Sequence, residues 1–293
     1  MTWRAQRLDG AAAAADVHAG VRARVEALRT RGVTPGIAVV QVGEVPASNV
    51  YIRKKMEAAE ALGFAARREH IGEADGIGRL MRVVGELNHD PGVHGFLVQS
   101  PLPAGWDEGA VFRAVSPEKD LDGFHPLNVG RTTVGEPGFW PCTALGIFEL
   151  LRFHGVGLAG KRVVVVGRSR VVGRPTATLL GRRGVDATVT LCHTATLALE
   201  DHTREADVVV MAAGVPGALR GDMIREGAVV VDVGIHSVPD PARPGKRRLV
   251  GDVEESSVAP RASWLSPVPG GVGPMTVAML LQNAVTACER SLA

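Results

Sequence analysis

Tyr51 and Lys55 are the first residues in the chain whose types and spacing could do chemistry together. At i and i+4 they share one face of a helix, so a phenol and an amine would reach one ligand from the same side. A free lysine titrates near ~10.4, so a lysine acting as a base must be made neutral by burial or by neighbouring charge. Arg53 and Lys54 could supply like charge if they lie close. Ile52, Met56 and Ala59 form a neighbouring apolar stripe, and Tyr51 is the chain's one tyrosine. Tyr51 could equally be a packed core residue beside a lysine that lays its stem on apolar surface and keeps its head in water.

Gln99 and Asp122 form a second candidate pair, each in a loop after an element of the first half. A carboxylate such as Asp122 could accept two hydrogen bonds from an amino-heterocycle. Asp120 and Asp122 could equally be turn residues, a common role for aspartate. The third candidate is the run VVVVGRSRVVGRP at 163–175. Four valines suit a strand buried on both faces. Gly167 opens a loop that closes at Gly173, and Arg174-Pro175 begins a helix, proline being tolerated in the first turn. Strand, glycine turn and helix N-terminus make an anion site of backbone N–H groups and helix dipole. Arg168 and Ser169 lie within it and could bind a phosphate or face solvent.

The end of the next strand bears on which dinucleotide such a loop would hold. NAD-preferring folds place Asp or Glu there, about 20 residues on, for the ribose 2′-hydroxyl. This chain has Cys192-His193-Thr194, with no carboxylate. Arg168, His193 and Thr194 could instead surround a 2′-phosphate, which favours NADP over NAD, although His193 could also be a plain loop histidine. The nine histidines show no metal-ligand spacing, so no metal is expected. Tyr-x-x-x-Lys also occurs in short-chain dehydrogenases, but there it follows the dinucleotide loop within one domain; here it lies far upstream of Gly167.

The elements that must position these groups read as alternating strand and helix. A length of 293 residues suits about two domains. With 45% hydrophobic and 22% charged residues the chain can bury a sizeable core. A net charge of +2 makes nucleic acid or an anionic membrane surface a poor partner. Three separated cysteines without CxxC spacing fit a reducing cytosol, and no apolar run reaches membrane-spanning length. The spacing predicts helices over 9–29, 50–62, 77–87, 144–154 and 275–288, with Ser48-Asn49 capping the second. Strands are expected at 36–42, 64–70, 92–98, 163–166, 186–191, 207–212 and 228–233, with an edge strand at 264–265. The stretches 117–130, 135–143 and 267–274 read as loops, and 246–248 as part of a solvated hairpin. This is an α/β pattern with mostly parallel sheets.

Several runs in this order resemble one family. They are Tyr51-x-x-x-Lys55, GFLVQSPLP at 95–103, PEKDLDGFHPLNVGR at 117–131, GRSRVVGRP at 167–175, VVVDVGIH at 229–236 and PVPGGVGPMTVAML at 267–280. The chain is similar to the bifunctional methylenetetrahydrofolate dehydrogenase/methenyltetrahydrofolate cyclohydrolases of one-carbon metabolism. That resemblance implies a two-domain α/β fold: an N-terminal catalytic domain and a Rossmann-like NADP-binding domain, with a cleft between them and the C-terminal helix returning to the first domain. The expected division is 1–142 and 271–293 for folate binding and catalysis, and 143–270 for NADP. The resemblance makes Lys55 the catalytic lysine, places Tyr51 against the folate, lets Gln99 tune Lys55, and has Asp122 bind the pterin. Pro269, Gly270, Gly271 and Thr276 would line the folate side. Gly167, Arg168, Ser169, Gly173, His193, Thr194 and Ile235 would hold NADP. A cytoplasmic homodimer acting on tetrahydrofolate derivatives, and so supplying purine synthesis, is also implied. Two positions depart from the family pattern: Ala144 stands where proline is common, and Thr194 where serine is common.

The two implied reactions make unequal demands. Hydride loss from 5,10-methylenetetrahydrofolate needs positioning more than a base. Hydrolysis of the methenyl cation needs proton transfers, and therefore Lys55. A shikimate-type or amino-acid dehydrogenase sharing the cofactor domain, and a non-catalytic nucleotide-binding protein, are the competing classes.

Overall fold

The computed structural model describes residues 5–44 and 46–292; the side chains of residues 45–48 are outside it, and with them the Ser48 half of the expected helix cap. The elements in chain order begin with β1 (Gln6–Arg7), α1 (Gly10–Arg29), β2 (Gly36–Val42), α2 (Pro46–Ala61), β3 (Ala65–Ile71) and α3 (Gly76–His89). Next come β4 (Gly95–Val98), α4 (Glu108–Ala114), α5 (Pro126–Val134), α6 (Cys142–Phe153), β5 (Arg162–Val166) and α7 (Gly173–Gly181). Then follow β6 (Thr188–Cys192), α8 (Leu199–Glu205), β7 (Val208–Met211), β8 (Val229–Asp232), β9 (His236–Pro239) and β10 (Arg247–Val250). The last are α9 (Glu255–Val258), β11 (Trp264–Leu265) and α10 (Val272–Ser291). They form two compact units. One joins Ala15–Cys142 with the chain from Val277 onward; the other joins the described residues up to Ala14 with Thr143–Thr276.

In the unit built on Ala15–Cys142 the sheet order is β3-β2-β4, all parallel. Its middle strand, GIAVVQV, is buried at every residue, as a β-branched strand covered on both faces must be. α3 buries Leu80, Val83, Val84 and Leu87, a stripe at helical spacing. That stripe packs with Val40, Phe96 and Val98 in one core. Phe96 N–H donates to Lys119 O (2.8 Å) and accepts at its carbonyl from Leu121 N–H (3.3 Å), which lays residues 119–121 along β4.

The other unit is a six-stranded sheet of order β1-β11-β8-β7-β5-β6, parallel throughout. β5 is the first strand of the repeat, with β6 on one side and β7 on the other. The order therefore reverses at β5, and in open α/β sheets ligands collect beyond the carboxyl ends of the strands at such a reversal. Valines 163–166 are buried, as are valines 208–210 and 229–231.

Five expectations need correction. The stretch 117–130 is not loop throughout: α5 begins at Pro126, a first-turn proline, with the His125 Nδ1 accepting from Leu127 N–H (3.0 Å) and Gly135 closing the helix left-handed. α4, capped by the Asp107 carboxylate on Ala110 N–H (3.0 Å), was not expected. β6 starts at Thr188 because Asp186 sits at φ 63 and closes a turn with Gly184 N–H. Trp264-Leu265 is an interior strand, since β1 pairs outside it. The last helix begins at Val272, three residues earlier than its spacing suggested; Pro274 falls in its first turn, where its missing N–H costs nothing. The solvated hairpin over 246–248 is part of β9–β10, an antiparallel ribbon.

Candidate functional site

Three elements of the first unit bring Lys55, Gln99 and Asp122 into one electrostatic neighbourhood. α2 carries Tyr51 half-buried and Lys55 buried. Gln99 follows β4 directly, and its N–H donates to Val40 O on the central strand (2.8 Å). The Lys55 Nζ donates to Gln99 Oε1 (3.0 Å), and the Gln99 amide in turn donates to Ser100 O (2.8 Å). The glutamine oxygen is thus committed to the ammonium by its own second bond. The lysine does not lay its head in open water.

Asp122 lies one residue beyond the stretch paired with β4. Burial pushes its carboxyl up to about 6; the Lys55 charge pulls it back, and the Asp120 charge adds to the rise. Burial also raises the Tyr51 phenol. Asp120 is itself buried and accepts from His125 N–H (2.8 Å) and the Asn128 amide (2.9 Å), so it is a structural anchor at the start of α5. Gly123, at φ 69, leaves no room for a Cβ, which would lie 2.6 Å from Phe139 O. Asn283 on α10 donates to Leu121 O (2.9 Å) and Trp140 O (3.2 Å), fastening the strand of chain that presents Asp122. The Cys142 thiol donates to the same Leu121 O (3.3 Å), and burial and the Asp122 charge push its pKa well up. That thiol is a packing group.

The second group of residues lies in the other unit. Gly167, at φ 118, follows β5; a Cβ there would stand 2.0 Å from Ala212 O at the end of β7. Gly173 is as tight, its Cβ position lying 1.8 Å from Gly167 O. The Ser169 hydroxyl accepts from Val172 N–H (3.1 Å), and Ser169 O accepts from Arg174 N–H (3.1 Å), closing the turn. Arg168 is exposed. Gly167 N–H donates to Cys192 O (2.8 Å), so the glycine loop and the Cys192-His193-Thr194 end of β6 are neighbours. Thr194 is exposed, while the half-buried His193 accepts at Nδ1 from Ala195 N–H (3.2 Å) and is held by that bond. Ile235, beyond β8, is 45% exposed, a large aliphatic left uncovered at the carboxyl edge. Two interlocked glycines, an exposed arginine and the lack of an acid at the β6 end fit a dinucleotide with a 2′-phosphate.

Pro269, Gly270, Gly271 and Thr276 fall in this same unit, apart in the chain's grouping from Lys55 and Asp122. Gly270 O accepts from Gly10 N–H (2.9 Å), and Gly271 N–H donates to Pro267 O (2.8 Å). The Thr276 and Thr143 hydroxyls lie 3.4 Å apart. Ala144, in the departure from the family pattern, is fully buried in α6. Among the described residues no group of three or more His, Cys, Asp or Glu side chains is placed to hold a metal.

One constellation went unseen in the sequence. Asp232 ends β8 and accepts from the N–H groups of Gly234 (2.9 Å), Asp252 (2.9 Å) and Val253 (3.0 Å). Its carboxyl is pushed up to about 6, chiefly by burial. Only the oddity of an acid closing a valine strand signalled it.

The fold and these two groups define an α/β protein with a dinucleotide-type unit and a separate unit carrying an amine, an amide and a carboxylate. The tetrahydrofolate dehydrogenase/cyclohydrolase catalytic domain matches residues 8–122, and the NAD(P)-binding domain of the same name matches residues 141–292. The chain is 49% identical over 282 residues to "Bifunctional protein FolD 2" of Geobacter sulfurreducens, covering 96% of both. The crystal structure of the bifunctional FolD methylenetetrahydrofolate dehydrogenase/cyclohydrolase of Campylobacter jejuni superposes with a TM-score of 0.92 at 40% identity, over 98% of this chain and 99% of that one. The Trypanosoma brucei enzyme, crystallised with NADP cofactor and inhibitor, gives 0.92 at 41%, over 98% of each chain. The chain belongs to the tetrahydrofolate dehydrogenase/cyclohydrolase family.

Proposed function

We propose that the chain oxidises 5,10-methylenetetrahydrofolate to 5,10-methenyltetrahydrofolate with NADP and hydrolyses that product to 10-formyltetrahydrofolate. Family membership over the whole length gives the reaction class. The hydrogen bond between buried Lys55 and half-buried Gln99, beside Asp122, is the observation that carries the chemistry. Residues 15–142 with the C-terminal helix make the folate and catalytic unit, and the unit around β5–β8 holds NADP. Tyr51 contributes a half-buried aromatic face for the folate. Pro269, Gly270, Gly271 and Thr276 are the remaining candidates for folate binding.

Lys55 does the proton work. Hydrolysis requires that water lose a proton and a folate nitrogen gain one, and an amine held by Gln99 Oε1 can take and return a proton at one position. Asp122, when ionised, accepts two hydrogen bonds from the aminopyrimidine edge of the pterin and so sets the folate's orientation. NADP, when bound, supplies the hydride acceptor. Arg168 and Thr194 hold its 2′-phosphate, the Gly167–Gly173 loop receives its diphosphate, and Ile235 and His193 wall the site. The family resemblance is the support for a cytoplasmic homodimer.

The test measures two products, reduced nicotinamide and 10-formyltetrahydrofolate, from methylenetetrahydrofolate with NADP or NAD. Formation of both with NADP supports the assignment. Neither product, from protein that still binds folate, would overturn it.

A further inference from the structure

We propose that Asp252 is a positioning residue for the dinucleotide, fixing the loops that follow β7 and β8 at the cofactor crevice. It rests on the dinucleotide reading of this unit. Asp252 is completely buried and lies two residues past the end of β10. One carboxylate oxygen, Oδ2, accepts from Gly214 N–H (2.8 Å), in the loop after β7. The other, Oδ1, bonds the imidazole Nε2 of His236 (2.7 Å), just past β8. Each bond ends one residue from an exposed aliphatic side chain: Val215 follows Gly214 and is 54% exposed, and Ile235 precedes His236. Uncovered aliphatic groups at the carboxyl edge of a parallel sheet are what a flat heterocycle would cover.

The site is built around this carboxylate. Gly234 leaves room for it, since a Cβ there would lie 2.3 Å from Asp252 Oδ1. The Asp252 backbone N–H is fixed in turn by Asp232 Oδ1 (2.9 Å). Gly214 lies two residues past Ala212, whose carbonyl abuts Gly167 at the strand-order reversal. One buried side chain therefore holds both the loop that faces the glycine turn and the turn that carries Ile235. A buried carboxylate without such partners would be strongly disfavoured. Here both of its oxygens are spent on cofactor-facing loops.

Bifunctionality gives an internal control, because hydrolysis of methenyltetrahydrofolate consumes no NADP. Asp252→Ala and the volume-conserving Asp252→Asn are compared with wild type by calorimetric NADP binding without folate, by the KM for NADP and for NAD, and by cyclohydrolase turnover. Loss of charged hydrogen bonds should weaken NADP binding and raise both dinucleotide KM values about tenfold or more, Asp252→Asn less than Asp252→Ala. Cyclohydrolase turnover should stay within about twofold, well inside the effect of one lost hydrogen bond. His236→Ala should reproduce part of the loss and His236→Gln, which keeps an N–H donor, should recover it. Unchanged NADP affinity in both Asp252 variants, or an equal fall of both activities in Asp252→Asn, would overturn the assignment. Wild-type protein that binds NADP but makes no folate product would instead fault the proposed reaction and leave the binding comparison intact.

Discussion

Replacing Lys55 by methionine tests the division of labour between the two reactions. Methionine keeps the apolar stem in a site where Lys55 is only 8% exposed, so packing changes little. It removes the N–H donor that Gln99 Oε1 accepts from at 3.0 Å, and losing that one bond at a half-buried amide costs about 0.5–1.5 kcal/mol of stability. It also removes the charge that holds the Asp122 carboxyl down, so that group moves above its value of about 6. Assayed at a pH high enough that measured folate affinity matches the wild type, the variant lacks only the proton transfer. Cyclohydrolase turnover should then fall by about 10²–10⁴, the ordinary range for one general acid–base group. Dehydrogenase turnover should fall by less, since hydride loss calls for no proton at the carbon. The assay follows reduced nicotinamide and 10-formyltetrahydrofolate in parallel, with folate affinity measured separately. Equal loss of both activities at unchanged folate affinity would refute the asymmetry.

Arg168→Ala should raise the KM for NADP well beyond that for NAD; an unchanged ratio would put the 2′-phosphate elsewhere. The Asp122 carboxyl, raised to about 6, takes its proton in the folded protein before the unfolded chain does. Folate KM should therefore climb as pH falls through about 6, and a flat profile there would dissociate Asp122 from the pterin. By the same sign, ionising Asp122 costs stability as pH rises from the ordinary carboxylate range to about 6. Asp122→Asn should thus match or exceed wild-type Tm at neutral pH while losing folate affinity; a lower Tm would refute this. Gly173→Ala drives a Cβ to 1.8 Å from Gly167 O, an overpacking of about 1–3 kcal/mol or more. It should lower Tm and abolish the rise in Tm that NADP gives the wild type; an undiminished NADP-induced rise would refute the cradle.

The glycine loop and its strands were legible because a four-valine run and two glycines carry their meaning locally. Lys55 and Tyr51 were legible as a pair by helical spacing, but the surroundings of Lys55 were not; its partners Gln99 and Asp122 lie far along the chain. α5 was hidden because Asp, Gly and Pro dominate 117–130, although Pro126 and Gly135 bracket the helix as first-turn proline and closing glycine. Trp264-Leu265 gave no sign of lying inside the sheet, since its outer neighbour is two residues long and comes from the other end of the chain. Asp232, Asp252 and His236 are single residues whose meaning exists only once three segments meet. No spacing could have announced them.

The composition of the units has a consequence for synthesis. The unit that carries Asp122 is discontinuous, and Asn283 leaves the ribosome long after Leu121 and Trp140. Until it emerges, the carbonyls of Leu121 and Trp140 lack the amide that ties them down beside Asp122. A nascent chain can form the β3-β2-β4 sheet early, since all three strands are complete by residue 98. The stretch that presents Asp122 is fastened only once α10 has been made. Chains that stop short of Asn283 would then carry a formed sheet and Lys55 beside an unfastened Asp122.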